Sequence, residues 1–329
     1  MPYRSLWQSV AAITLAVLLI YGCKKEESTE VQTPTATWVS LANMPYPAGN
    51  LAAAEVNGKI YVFGGHTFND VLNKVCEYDI AANTWTDKGT MPHQRAGHAA
   101  VAMGGKIYII GGSDNYAAVA AVHVYDPATG TWSAKQDMGT GLWGPTFAFV
   151  IGTKIYAVAW GTEVKVRVYD PAADTWELKT ATGHGRDVFG ACLLGGKIYV
   201  VGGAEATGYG TQLDTIYATA ECFDPSTETW SSIPPLTSAR WELEAAACNG
   251  KIYAMGGETQ RAGGAFPGVP TVEVYDPATS KWSSGNAMPT KRREHCSVVV
   301  GGSIYVFGGC AGPHASSSQL NTVEMLCWK

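Results

Sequence analysis

The sequence predicts an all-β fold of six repeated four-stranded units, and three observations predict it. The dipeptide Ile-Tyr recurs at Ile60, Ile107, Ile155, Ile198, Ile252 and Ile304. A Gly-Gly pair follows four residues later in five units (Gly64-Gly65, Gly111-Gly112, Gly202-Gly203, Gly256-Gly257, Gly308-Gly309), with Ala159-Trp160 in the third. An aromatic-Asp pair then leads to a Trp six residues after the Asp: Trp85, Trp132, Trp176, Trp230 and Trp282. Self-similarity at such spacing marks a chain built from stacked supersecondary units. The composition agrees, with 38 Gly, 16 Tyr, 11 Trp and 16% charged residues suiting many short strands and tight turns.

Before the first unit lies a leader with one early cation, Arg4, and an apolar run from Val10 to Ile20. That run is too short for a comfortable span of about 20 residues, and it fits a signal peptide over residues 1–22. The segment Ile20-Tyr21-Gly22-Cys23 resembles a lipobox, with Tyr21 standing where a small residue is usual. The resemblance implies lipidation of Cys23 and a membrane anchor. Lys24-Lys25-Glu26-Glu27 is similar to the export signal of surface lipoproteins, so an outer-membrane lipoprotein on its periplasmic or cell-surface face is expected. Residues 23–36 read as a polar lipidated tether and residues 37–329 as the repeat domain.

Each unit divides into strands A to D. A is a run of small apolar residues, B carries the Ile-Tyr, C ends at the aromatic-Asp pair and D holds the Trp. Asn57-Gly58 and Asn249-Gly250 between A and B mark two-residue hairpin turns. Asp-Pro between C and D suits a type I turn. The last unit stops after strand C, while Thr37-Trp38 lies 47 residues before Trp85, so the N-terminal strand should supply the missing D strand. That exchange removes open sheet edges and closes the ring.

This pattern resembles the Kelch repeat over residues 37 to 329, and it implies a six-bladed β-propeller. Alternation of strands puts the short A–B and C–D turns on one face. The longer D–A and B–C loops lie on the other, which is the expected working face. Twelve residues before each Ile stand Ala48, Arg95, Trp143, Arg186, Arg240 and Arg292. Arg95, Arg186, Arg240 and Arg292 are therefore expected to ring the channel mouth and bind an acidic group, as the resemblance to peptide-binding Kelch domains implies. Trp143 and Trp160 interrupt the third unit and suit stacking on a ligand, with Trp241 beside Arg240. His98 and His295 occupy equivalent positions on the same face.

The expected function is a membrane-anchored binding module for a protein, peptide or glycan ligand, acting as a monomer. The net charge of −5 gives no support for nucleic acid. The alternative is a carbohydrate-active enzyme. Resemblance to the periplasmic sialic acid mutarotases implies sugar isomerisation, with Glu242 or Glu294 as acid or base. A copper oxidase of the galactose oxidase kind is a third reading; it needs two His and two Tyr, one Tyr crosslinked to a Cys, and His66, His98, His295 and Cys310 are the candidates for one face. No cofactor or metal is expected, since CxxC, HExxH and phosphate-loop motifs are absent from the sequence. Cys192, Cys248 and Cys296 fall in A strands and read as inert core.

Overall fold

A computed structural model describes residues 35–115, 117–139, 146–159, 164–181, 185–206, 213–259, 268–312 and 318–329. The expected signal peptide over residues 1–22, Cys23, most of the expected tether, Trp143 and Trp160 lie outside the described residues.

Six antiparallel four-stranded sheets form the blades. In blade one, strands A to D are Ala52–Val56, Lys59–Phe63, Lys74–Asp79 and Thr84–Thr90. The register sets Ile60 opposite Tyr78 and Tyr78 opposite Trp85, so the recurring residues form one line across the sheet. The Tyr78 and Trp85 rings lie 5.0 Å apart, and the equivalent pairs in blades two to five lie 4.9 to 5.2 Å apart. The last blade joins Cys296–Val300, Ser303–Phe307 and Val323–Trp328 to the N-terminal strand Ala36–Leu41. Thr37 pairs with Cys327 and Trp38 with Leu326, so the two ends of the chain close the ring as expected.

The apolar core is divided among the blade interfaces. Ile60 and Tyr78 of blade one, for example, pack with Tyr305 and Phe307 of blade six. Cys192, Cys248 and Cys296 are buried free thiols, as their place in the A strands requires. At the outer edge the Trp indoles fasten neighbours together. Trp85 donates to the Ala42 carbonyl at 2.9 Å, Trp176 to Gln136 at 2.9 Å and Trp282 to Pro234 at 2.7 Å, each in the preceding blade. The Gly pairs act at the inner end. Gly308 has φ of 58°, and a methyl group there would stand 2.5 Å from the Ala48 carbonyl of the next blade. Only glycine meets both demands. Between strands B and C of blade four, Ala204–Ala206 and Leu213–Ile216 pair as two short antiparallel strands.

Candidate functional site

The four registered arginines do not line an open mouth. Arg95, Arg186, Arg240 and Arg292 are 0 to 2% exposed. Each turns into its own blade and bridges the ends of strands B and C. Arg240 Nη1 donates to the Gly256 carbonyl at 2.9 Å and the Thr271 carbonyl at 3.0 Å, while Nη2 meets Glu273 at 3.0 Å. Arg186 repeats this on Gly202, Thr219 and Glu221, and Arg292 on Gly308, Thr322 and Glu324. Arg95 holds Gly111 and Ala121, with His123 Nδ1 in place of the carboxylate. The partner column in strand C therefore follows the arginine column. Where Ala48 replaces Arg in blade one the partner position is Cys76, and in blade three it is Arg167, which donates instead to the Met138 carbonyl at 2.7 Å. The expectation that these arginines bind an acidic ligand is corrected: they are buried, and their Nη donors go to backbone carbonyls and buried side chains at the base of each B–C loop.

His98 and His295 are likewise buried, at 3% and 5% exposure. Burial, then the nearby arginines, hold both imidazoles well below their ordinary pKa, so they are neutral, and both line the channel below the mouth. Among the described residues His66 and Cys310 come together with Glu294, and His98 and His295 do not join them.

The next two positions of the repeat do reach the mouth. Ten residues before the Ile stand Asn50, Gly97, Val188, Glu242 and Glu294, all with left-handed φ between 47° and 65°. Their backbones make an inner belt: Gly97 donates to Asn50, Asn50 to Glu294, Glu294 to Glu242 and Glu242 to Val188. One residue earlier stand Gly49, Ala96, Asp187, Trp241 and Arg293. Each forms a bridge with the residue after its Gly pair, respectively His66, Ser113, Ala204, Glu258 and Cys310.

In blades five, six and one these positions converge. Arg293 Nη1 lies 2.9 Å from Glu242 Oε2 and 2.6 Å from Glu294 Oε1, and its Nε lies 3.1 Å from Glu258 Oε1. Glu294 Oε2 faces His66 Nε2 at 3.1 Å and Cys310 Sγ at 3.0 Å. The His66 side chain is 26% exposed, while Arg293 is buried beneath it. Sequence reasoning named Glu242 and Glu294 separately. It missed Arg293 and Glu258 as their companions.

A family model described as the Attractin/LZTR1 beta-propeller matches residues 60–318. The chain belongs to this family of Kelch-repeat propellers. Human Kelch-like protein 33 is 32% identical over 122 residues, covering 37% of this chain and 21% of that protein. Human Kelch repeat and BTB domain-containing protein 13 is 34% identical over 94 residues, covering 29% and 18%. The aligned stretch is thus about a fifth of each relative's length. Among solved structures, that of YjhT superposes with a TM-score of 0.72 at 16% identity, over 86% of this chain and 95% of that one, a likeness of fold.

In this Kelch propeller the rim cluster separates its carboxyl groups electrostatically. Burial, then the charge of Glu294, push Glu242 well above the usual carboxylate range against the pull of Arg293. Burial pushes Glu258 up to about 7. Burial also works to raise Glu294, but the His66 hydrogen bond and the Arg293 charge outweigh it and hold that carboxyl low. Below the mouth lies a channel of about 290 Å³, walled by alanines of the A strands with His98, Phe147, Glu244 and Ser297. Glu244 accepts a 3.0 Å hydrogen bond from the Ser297 hydroxyl, and burial pushes its pKa up to about 8.

Proposed function

We propose that this Kelch propeller is a binding module that receives a protein, peptide or glycan on its looped face, at the rim where blades five, six and one meet. One observation carries the reading: polar chemistry at the rim registers is concentrated in that sector. The same registers hold Ala96, Gly97 and Ser113 in blade two, and Asp187, Val188 and Ala204 in blade four. Among the described residues at these registers Asp187 is thus the one ionisable side chain of those two blades, against Glu242, Glu258, Arg293, Glu294, His66 and Cys310 in blades five, six and one. Ring closure requires like residues in like positions, so a departure gathered in one sector marks what has been added for recognition. With the four blade arginines engaged internally, the partner meets the 26%-exposed His66 side chain and the rim backbone around it, over the buried Glu242 and Glu258 that set the local charge and hydrogen bonding. The test is a peptide and glycan array, scored in EDTA, with wild type and the Glu242→Gln/Glu258→Gln variant. Partners of the wild type should bind the variant at least about tenfold more weakly, whereas Lys106→Glu/Lys197→Glu on the opposite face should leave them unchanged. Equal binding by all three proteins would remove the site.

The same proposal places the chain at the outer membrane as a monomer lipidated on Cys23. Among the described residues no helix is long and apolar enough to cross a membrane. Metabolic labelling with a palmitate analogue should mark the wild type and not Cys23→Ala. Unlabelled wild type would overturn the anchor.

A second reading, sugar isomerisation by general acid and base, is favoured by the meeting of Glu242 and Glu294 on one Arg293 nitrogen. NMR of a freshly dissolved acidic sugar anomer, with and without protein, decides it; equal rates end the idea.

A further inference from the structure

We infer that His66 Nε2, Glu294 Oε2 and Cys310 Sγ form a binding site for a zinc-class dication, seated over Gly49 at the channel mouth. The three donor atoms lie within 4.8 Å of one another. Tetrahedral zinc, with bonds of about 2.0–2.3 Å, spaces its donors about 3.2–3.7 Å apart. The pairs at 3.1 Å and 3.0 Å need only a slight opening to meet that spacing.

Gly49 supplies the second observation. A methyl group on Gly49 would stand 2.7 Å from Glu294 Oε2, 2.8 Å from Cys310 Sγ and 3.1 Å from His66 Nε2. The three donors therefore crowd the place that a side chain on residue 49 would take, so they can meet only because residue 49 has none. The backbone does not explain the glycine: φ at Gly49 lies outside the left-handed region. Among the described residues, the other blades place Ala96, Asp187, Trp241 and Arg293 at this register.

The outer contacts are those of a prepared metal site. His66 Nδ1 lies 3.0 Å from the Thr67 carbonyl. Donation there fixes the ring with Nε2 facing Glu294, so a metal that displaces the Nε2 proton to solvent takes up its lone pair. The other oxygen of Glu294 is fixed by Arg293. Such partners orient ligands and raise their basicity, and their loss commonly costs about 10–100-fold in metal affinity. A sulfur, an imidazole nitrogen and a carboxylate oxygen together suit zinc and its borderline neighbours rather than calcium or magnesium. Binding replaces the Cys310 S–H bond with a metal–sulfur bond and releases that proton to solvent. The partly exposed His66 provides the way in. The inference stands on the donor set alone and does not depend on what the looped face binds.

The experiment is titration of the purified, untagged, reduced full-length protein with Co²⁺, followed by displacement with Zn²⁺. One Co²⁺ per chain should bind and give a thiolate-to-cobalt charge-transfer band that Zn²⁺ abolishes. Cys310→Ser should lose that band. Gly49→Ala should weaken Co²⁺ binding at least about tenfold while melting near the wild type. Cys327→Ser, which removes a half-buried thiol elsewhere, should change nothing. Absence of stoichiometric binding, a band that survives Cys310→Ser, or one that disappears with Cys327→Ser would overturn the site. If Gly49→Ala fails to fold, the cysteine pair decides. The array above is scored in chelator with variants that keep all three ligands, so failure of either idea is visible without the other.

Discussion

Adjacent positions of the repeat, twelve and eleven residues before each isoleucine of the recurring Ile-Tyr, have opposite fates. At the first, arginine recurs in four blades and is turned inward, fixing strand B to strand C. At the second, Gly49, Ala96, Asp187, Trp241 and Arg293 differ from blade to blade, and the sector around Arg293 and Gly49 gathers the candidate site. A residue that every blade needs is answering to the architecture. A residue that one blade alone carries has been released from it and is available for chemistry.

The largest effect that tests this contrast is on stability. Arg240→Ala leaves the buried Glu273 carboxylate without its guanidinium, although Thr237 still donates to it. Breaking a buried pair in this way costs about 3–5 kcal/mol. Arg95→Ala leaves only the neutral His123 and two carbonyls, so about 1–3 kcal/mol is expected. Urea unfolding of the two variants should therefore rank Arg240 above Arg95, with partner binding by the folded protein unchanged. Undiminished stability with lost binding would restore the arginines to the rim.

Much of the fold was legible because backbone geometry dictates its signals. Gly308 is demanded by a left-handed φ and by the Ala48 carbonyl, and Trp85 by a carbonyl in the preceding blade. Such needs recur with every blade and so appear as a period. The half-empty last unit likewise revealed the closure. The site was less legible because it joins residues 66, 242, 258, 293, 294 and 310, and their meeting depends on the angle between successive blades. Periodicity misled at the arginines, where repetition looked like a ligand-binding ring. Aligning the strand C column, Cys76, His123, Arg167, Glu221, Glu273 and Glu324, would have exposed the matching partners.

A middle-sized effect concerns the channel wall, two residues beyond Glu242. Glu244 has a folded pKa of about 8 against an ordinary 4.5, raised by burial and partly offset by Ser297. The folded chain thus holds this proton more tightly than the unfolded chain. The contribution of Glu244 to stability is greatest below the unfolded value and declines as pH climbs from about 4.5 to about 8, then levels. Glu244→Gln should melt closer to the same temperature at pH of about 5 and about 8, whereas the wild type loses more over that interval. A variant as pH-sensitive as the wild type would show that the channel hydrates Glu244 enough to ionise it.

The smallest effect lies at the outer edge, where the repeat is most regular. Trp282→Phe keeps an aromatic ring against Tyr275, now 5.2 Å from the indole, and removes the N–H that reaches Pro234 in the preceding blade. Trp282 is only partly buried, and its hydrogen bond lies where solvent can satisfy the freed carbonyl. A net loss of about 1 kcal/mol is therefore expected in thermal or urea melting. A loss as large as that of Arg240→Ala would mean that the seam between blades four and five opens as a unit. The outer edge and the arginine base would then contribute equally to closure. A small loss places the main constraint at the inner end, where the Gly pairs and arginines meet and water cannot take over their hydrogen bonds.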